Sequence, residues 1–310
     1  MIYTVRGPID KTQMGKTLAH EHFSWISDED FASKMYFDKQ YDESYTQKLF
    51  DKVLPILSEL SASGCQTIVE ASPPLGGQNL KLLYDLSYKT NVNIISCTGM
   101  NITKYAHRIF QENFEVQLAK KWIQDFKEGL DVIDDVCIKP GYIKLLFDRG
   151  GVNAVDEAML KAAAIACNAT GMPIHCHVLE AEHMPKVITI LQKMKVPPHK
   201  FVWAHADHEG HLETILQVVE KGYWVGFDGI REGTYESRKK LIEHAITYNY
   251  SHQVILSEDY DFCEESEKKN GIERYCAFFN VFIPYCIKNG IPQEVIESII
   301  IENSARFYDI

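Results

Sequence analysis

Short apolar runs rich in Val, Ile and Cys alternate along the chain with longer stretches in which apolar residues recur every three or four positions. The short runs predict strands over Thr17–Phe23, Gln66–Ala71, Asn93–Thr98, Tyr142–Phe147, Met172–Val178, Phe201–His205, Tyr223–Phe227 and Gln253–Ser257. The longer stretches predict amphipathic helices over Ser44–Ala62, Gly77–Lys89, Phe114–Glu128, Asp156–Thr170, Met184–Lys195, His211–Lys221 and Ser237–Tyr248. Helices of this length fit the crossovers that parallel strands require, so the pattern predicts an α/β fold. Within 310 residues it fits a closed (β/α)8 TIM barrel better than an open sheet with a second domain. With no Pro/Gly/Ser-rich linker and no internal repeat, residues 1–310 read as a single domain. Two connections are unusually long, Ser24 to Tyr41 and Tyr260 to Ile272. Both follow strand C-terminal ends, where a barrel carries its substrate loops.

Composition removes several classes. Hydrophobic residues at 45% and charged residues at 24% exclude a disordered chain. A balance of 32 basic against 43 acidic residues, net −11, argues against a general nucleic-acid or anionic-membrane binder. The eight cysteines are scattered and form no CxxC pair, as expected of reduced thiols in a cytoplasmic protein. No apolar run approaches the ~18 residues of a membrane span, and the opening residues lack a signal-type core.

The candidate chemistry gathers at the predicted strand ends. In GKTLAHEHF, strand periodicity puts His20 and His22 on one face, where the pair can chelate a metal. In GYIKLLF, Lys144 interrupts an apolar strand, which is costly for an ammonium unless it is paired or loses its charge. Burial favours the neutral amine, and a neutral amine can take up carbon dioxide as a carbamate with two ligand oxygens. GMPIHCHV carries His175 and His177, WAHADHEGH carries His205, His208 and His211, and Asp259 directly follows an apolar strand in VILSEDYDF. Each histidine alone could be a hydrogen-bonded core residue, Lys144 could point outward, and Asp259 could be a helix N-cap. Five strand ends that each supply a metal-ligand type are less well explained that way.

Taken in order, GKTLAHEHF, GCQTIVEAS, ISCTGM, GYIK, PIHCHV, WAHAD, GYWVGFDGI, LSEDYDF and ENSARFYDI resemble the phosphotriesterase-like branch of the amidohydrolase superfamily over the whole chain. The resemblance implies a binuclear centre at the C-terminal mouth of the barrel. It makes His20, His22 and Asp259 ligands of the more buried ion, and His177 and His205 ligands of the more exposed one. Carbamylated Lys144 and a hydroxide would bridge the two divalent ions, zinc first, with Mn, Co or Fe compatible. Asp259 would also act catalytically as proton acceptor, with Asp207 and His208 as candidates to relay the proton outward. His175 matches no ligand position and is expected one layer deeper, packed and hydrogen-bonded.

The implied activity is metal-dependent hydrolysis of a small molecule, a lactone or related carboxylic ester first, with phosphotriesters or amides as the alternative. A noncatalytic metal-binding barrel would require a lost ligand, and all six positions carry suitable residues. Trp25, Tyr36, Phe37, Tyr260 and Phe262 are expected to wall the pocket, or merely to pack the loops, with Arg231 and Tyr235 adding polar contacts. Lys239, Lys240 and Arg274 could join Arg231 and Tyr235 on an anionic substrate, but Glu264, Glu265 and Glu267 would oppose one. A homodimer is a further expectation from symmetry base rates.

Overall fold

The apolar runs become parallel strands because both of their faces are covered, which removes the polar alternation a half-exposed strand would show. The computed structural model describes residues 1–25, 41–100, 113–147, 150–208, 211–263 and 271–310. An N-terminal ribbon of β1 (Ile2–Thr4) and β2 (Gly7–Ile9) precedes β3 (Thr17–Glu21), β4 (Thr67–Glu70) and β5 (Asn93–Ile95), which form a parallel sheet in that order. A second parallel sheet runs β6 (Cys97–Met100), β9 (Tyr142–Leu146), β10 (Ile174–His177), β11 (Phe201–Ala204), β12 (Trp224–Phe227) and β13 (Val254–Leu256). Between β6 and β9 a further antiparallel ribbon pairs β7 (Asp131–Ile133) with β8 (Val136–Ile138).

The third expected strand is thus two strands that meet at Ser96. Its first half pairs with β4 and its second half with β9, so the change of partner across one residue divides the sheets. At the far edges, backbone bonds join the end of β3 to the segment after β13. His22 N–H donates to Tyr260 O at 2.8 Å, Phe262 N–H to His22 O at 2.9 Å and Asp259 N–H to His20 O at 3.2 Å.

The helices follow the expected periodicity with adjusted ends. They are α1 (Glu43–Ala62), α2 (Leu80–Thr90), α3 (Phe114–Glu128), α4 (Ala154–Thr170), α5 (Met184–Lys193), α6 (Leu212–Val219) and α7 (Tyr235–Thr247). Helix α2 starts three residues after Gly77, because the Asn79 side chain accepts the Leu82 N–H and so sets the cap. A large apolar cluster joins helices to strands, and a smaller one takes Ala19, Val69, Tyr142, Val202, Trp224 and Ile255 from six different strands. Among the described residues no helix is long and apolar enough to cross a membrane. Tyr36, Phe37, Glu264, Glu265 and Glu267 lie outside the described residues.

Candidate metal centre

Strand ends bring the expected ligands together. His20 is the fourth residue of β3, at a point where its pairing with β4 shifts register between Leu18 and Glu21. Such an irregularity re-aims side chains within a strand. His20 Nε2 lies 3.6 Å and His22 Nε2 3.4 Å from Asp259 Oδ1, and His205 Nδ1 lies 4.0 Å from Asp259 Oδ2. The rings of His177 and His205 approach to 4.2 Å between centroids. Lys144, buried in β9, places Nζ 2.7 Å from His20 Nε2. The six residues proposed from the sequence therefore converge on one place.

Two of them stand on backbone that L-residues rarely adopt, His205 at φ 64° and Asp259 at φ 54°. Both follow a strand, His205 directly after β11 and Asp259 three residues after the last residue of β13. Lys144 depends on a glycine opposite. Gly99, in register with it, has φ 130°, and an added Cβ would stand 1.9 Å from the Lys144 carbonyl oxygen.

Burial dominates the electrostatics. It drives His20 and His177 well below the usual imidazole range and His205 down to about 4, with neighbouring Lys144 and imidazoles adding to the effect on His20 and His177. Burial lowers the Lys144 ammonium too, against the pull of Asp259 and Asp228. Burial opposes ionisation of Asp259, yet the imidazoles of His22 and His205 hold its carboxyl below the ordinary range. Neutral His20, His177 and His205 beside an ionised carboxylate are the protonation states that ligate a divalent cation.

The donor set fits such cations on further grounds. His20, His22 and Asp259 form one group whose ligand atoms all lie within 4.8 Å of one another, and His20, His175 and Asp228 form another. Buried His205 Nε2 and His20 Nδ1 find no hydrogen-bond partner among the described residues. Ser72 Oγ donates to Ser24 O at 2.8 Å and therefore accepts from His22 Nδ1 at 2.9 Å. With Nδ1 so engaged, Nε2 is the nitrogen turned toward Asp259 Oδ1 at 3.4 Å, and a cation between the two would draw on both.

Three supporting residues escaped the sequence reading. Glu21, between the two histidines, accepts from Ser257 Oγ and Glu258 N–H at 2.7 and 2.8 Å through one oxygen and from Tyr260 N–H at 2.8 Å through the other. It clamps the turn that carries Asp259 to β3. Asp228, just after β12, accepts the His205 N–H at 2.8 Å and faces His20 Nδ1 at 3.5 Å. Ser72 is the third. Their one sequence signal was a polar residue inside or directly after an apolar run, the same signal that marked Lys144.

His175 is buried one layer down and hydrogen-bonded, with Nδ1 3.0 Å from the Tyr308 hydroxyl, as expected. Asp207 is held by Arg238 at 2.7 Å and by the Gly229 N–H at 2.8 Å, whereas His208 is exposed.

A cavity of about 650 Å³ opens over the centre, with His22, Lys144, His177 and Asp259 on its lining. Trp25 and Arg231 line it as well; Trp25 meets the His22 ring edge-on at 5.3 Å. Arg231 donates through Nε to Glu258 O at 3.0 Å and through Nη2 to Asp259 O, so it also holds the Asp259 turn. Of the other residues named from the sequence, Tyr260 is buried beneath the Arg231 guanidinium, 4.6 Å from its centre. Tyr235 packs on Phe282 and Tyr285, and neither tyrosine lines the cavity. Nor do the other expected anion contacts: Lys239 pairs with Glu243 at 2.9 Å, Lys240 with Glu236 at 3.5 Å, and Arg274 stacks over Tyr275 at 4.5 Å.

Known proteins are similar to this chain over nearly its whole length. The chain is 26% identical over 303 residues to a phosphotriesterase homology protein of Escherichia coli, covering 95% of this chain and 98% of that protein. It is 25% identical over 318 residues to an aryldialkylphosphatase of Saccharolobus solfataricus, covering 97% and 96%. It is 25% identical over 342 residues to an N-acetyltaurine hydrolase of Xenopus tropicalis, covering 99% and 97%. The profile of the phosphotriesterase family matches residues 1–308. With two His/Asp groups able to hold metal ions on an α/β fold of parallel sheets, the chain belongs to the phosphotriesterase family of metal-dependent hydrolases in the amidohydrolase superfamily.

Proposed function

We propose that this chain is a single-domain (β/α)8 barrel that uses a binuclear centre to open a lactone or a related carboxylic ester. The convergence of four histidines, Asp259 and a buried lysine beneath one cavity carries the reading. The backbone bonds between β3 and the segment after β13 support closure of the barrel, as does the partner change at Ser96.

His20, His22 and Asp259 would hold the more buried ion, His177 and His205 the more exposed one, and the carbamate of Lys144 both. Such a pair of divalent ions, zinc first, would lower the pKa of a bound water and polarise a carbonyl oxygen. Carbamate formation joins Nζ to the carbon of CO2 and releases one proton, which a neutral buried amine accomplishes more readily than an ammonium. Asp259, kept ionised by its neighbours, would accept the proton of the attacking water and return it to the leaving alkoxide oxygen as the acyl C–O bond breaks. His208, exposed to solvent, is assigned to carry away the proton that the product carboxylic acid releases. Trp25 and Arg231 would contact the substrate from the cavity wall.

The names of two relatives, an aryldialkylphosphatase and an N-acetyltaurine hydrolase, favour a second reading in which the same centre cleaves a phosphotriester or an amide. Parallel assays of protein reconstituted with Zn, Mn or Co in bicarbonate, using γ-butyrolactone, a dialkyl aryl phosphate and N-acetyltaurine, separate the readings. A lactone turned over at least about 100-fold faster in kcat/KM than the other two supports the first. The opposite order overturns it.

A further inference from the structure

The turn that carries His205 is tied down by residues that ligate nothing. After β11 the chain reverses through residues 205–208, closed by the His208 N–H on His205 O at 3.1 Å, with His205 itself at φ 64°. Backbone of this kind persists only where its surroundings hold it. The Ala206 N–H donates to Gly226 O of β12 at 3.0 Å, and the His205 N–H donates to Asp228 at 2.8 Å. A further hold comes from a helix. Buried Asp207 accepts through a single oxygen from Arg238 Nε at 2.7 Å and from the Gly229 N–H at 2.8 Å. Arg238, on α7, also donates to Gly229 O at 3.2 Å, so its guanidinium bridges the loop after β12 and the turn after β11.

Gly229 makes this bridge possible. Its φ lies outside the positive region, so backbone conformation does not call for glycine there. Space does. An added Cβ would stand 2.8 Å from Arg238 Nη2 and 3.0 Å from Asp207 Oδ2, and the guanidinium, at the end of a flexible side chain, would have to give way. Resting on the assignment of His205 to the more exposed ion, we propose that Gly229, Asp207 and Arg238 form a clamp that positions His205 and so sets the affinity for that ion. All three act through His205 and are positioning residues. Asp207, committed to a guanidinium and a backbone N–H, is by the same argument withdrawn from proton relay. The more buried ion depends on β3 and the Asp259 turn, which Glu21 and Arg231 hold instead. The clamp therefore acts on one ion of the two.

The test needs no substrate. Metal-free full chain in bicarbonate is titrated with Co(II), followed by calorimetry and by the visible absorption of the bound ion. The parent is expected to take up two ions. In Gly229→Ala and in Arg238→Met, each checked for folding by circular dichroism, affinity for the more weakly held ion falls by about tenfold or more while the tighter one changes by less than about twofold. Arg238→Lys, which keeps the charge but loses the planar fork, recovers part of the difference. A purely structural role would lower the melting temperature and leave both affinities at the parent values. That result, or equal weakening of both ions, overturns the clamp and leaves the binuclear centre. Fewer than two ions in the parent overturns the binuclear reading and the clamp with it. In Asp207→Ala, restoration of ester hydrolysis by imidazole buffer would make Asp207 a proton carrier and overturn its place in the clamp; the expected result is no restoration.

Discussion

Lys144 Nζ and His20 Nε2 stand 2.7 Å apart beneath the cavity, two nitrogens of buried side chains held by strands on different sheets. A cationic amine beside an imidazole needs compensation that the carboxylates nearby give only in part, and conversion of the amine to an anion would remove the conflict. Lys144→Ala is therefore expected to lose metal and activity together, activity by on the order of 100-fold or more. A short carboxylate such as propionate should restore part of both. Full activity in the variant would remove the lysine from the mechanism.

Metal content gives a second test. Loaded in the presence of bicarbonate, the protein should retain close to two equivalents of divalent ion. Asp259→Asn should retain the fold by circular dichroism while binding metal more weakly by at least about tenfold, since the amide is a poor substitute for a ligand carboxylate. Unchanged stoichiometry and affinity would place the metal elsewhere.

Glu21 touches no proposed reacting group, yet it accepts N–H groups on both sides of Asp259. In Glu21→Gln the side chain keeps one acceptor oxygen and turns a donor toward the Tyr260 N–H. A loss of about 1–3 kcal/mol in stability is expected from the unsatisfied group. A purely structural role would stop there. A positioning role predicts in addition a drop of about 10-fold or more in metal affinity, measured on protein that is fully folded.

The buried carboxyl of Glu70 supports a pH prediction. Burial raises its pKa from 4.5 to about 7, against hydrogen bonds from Ser72. The folded state thus holds the proton that the unfolded chain releases, and stability from this group is fully present below pH 4.5 and is lost as pH rises toward 7. Glu70→Gln, which mimics the protonated form, should gain stability relative to the parent over that window, by up to roughly 3 kcal/mol. Urea unfolding of metal-free protein at pH 4.5 and 7.5 measures it, and a difference that is flat or of opposite slope would show that Glu70 is ionised in the fold.

The proposed ligand positions are legible in the sequence because each breaks a strong local pattern. His20, His22, Lys144 and His177 interrupt or end apolar strands, and no ordinary packing argument places so many polar groups there. Glu21, Ser72 and Asp228 break the same pattern, but their partners are backbone N–H groups and imidazoles on other strands and turns, which spacing along one strand does not encode. The ribbons were missed for another reason. With three residues per strand they show no alternation, and the turn joining β7 to β8 is carried by Asp134 and Asp135, both at positive φ, where glycine or asparagine is the usual marker. Tyr235 and Tyr260 stand near strand ends but off the cavity lining, one wall of which comes from α1, and the inward face of that helix is set by its docking and not by its sequence alone.

The left-handed backbone at His205 and Asp259 bears on how this protein can be altered. A non-glycine residue there carries conformational strain of about 1 kcal/mol or more, which glycine or asparagine would relieve. A library screened for heat resistance alone should therefore enrich His205→Gly and Asp259→Gly or Asn, and each hit would be a sturdier protein with a damaged centre. Selection for durability and selection for turnover pull these two codons in opposite directions.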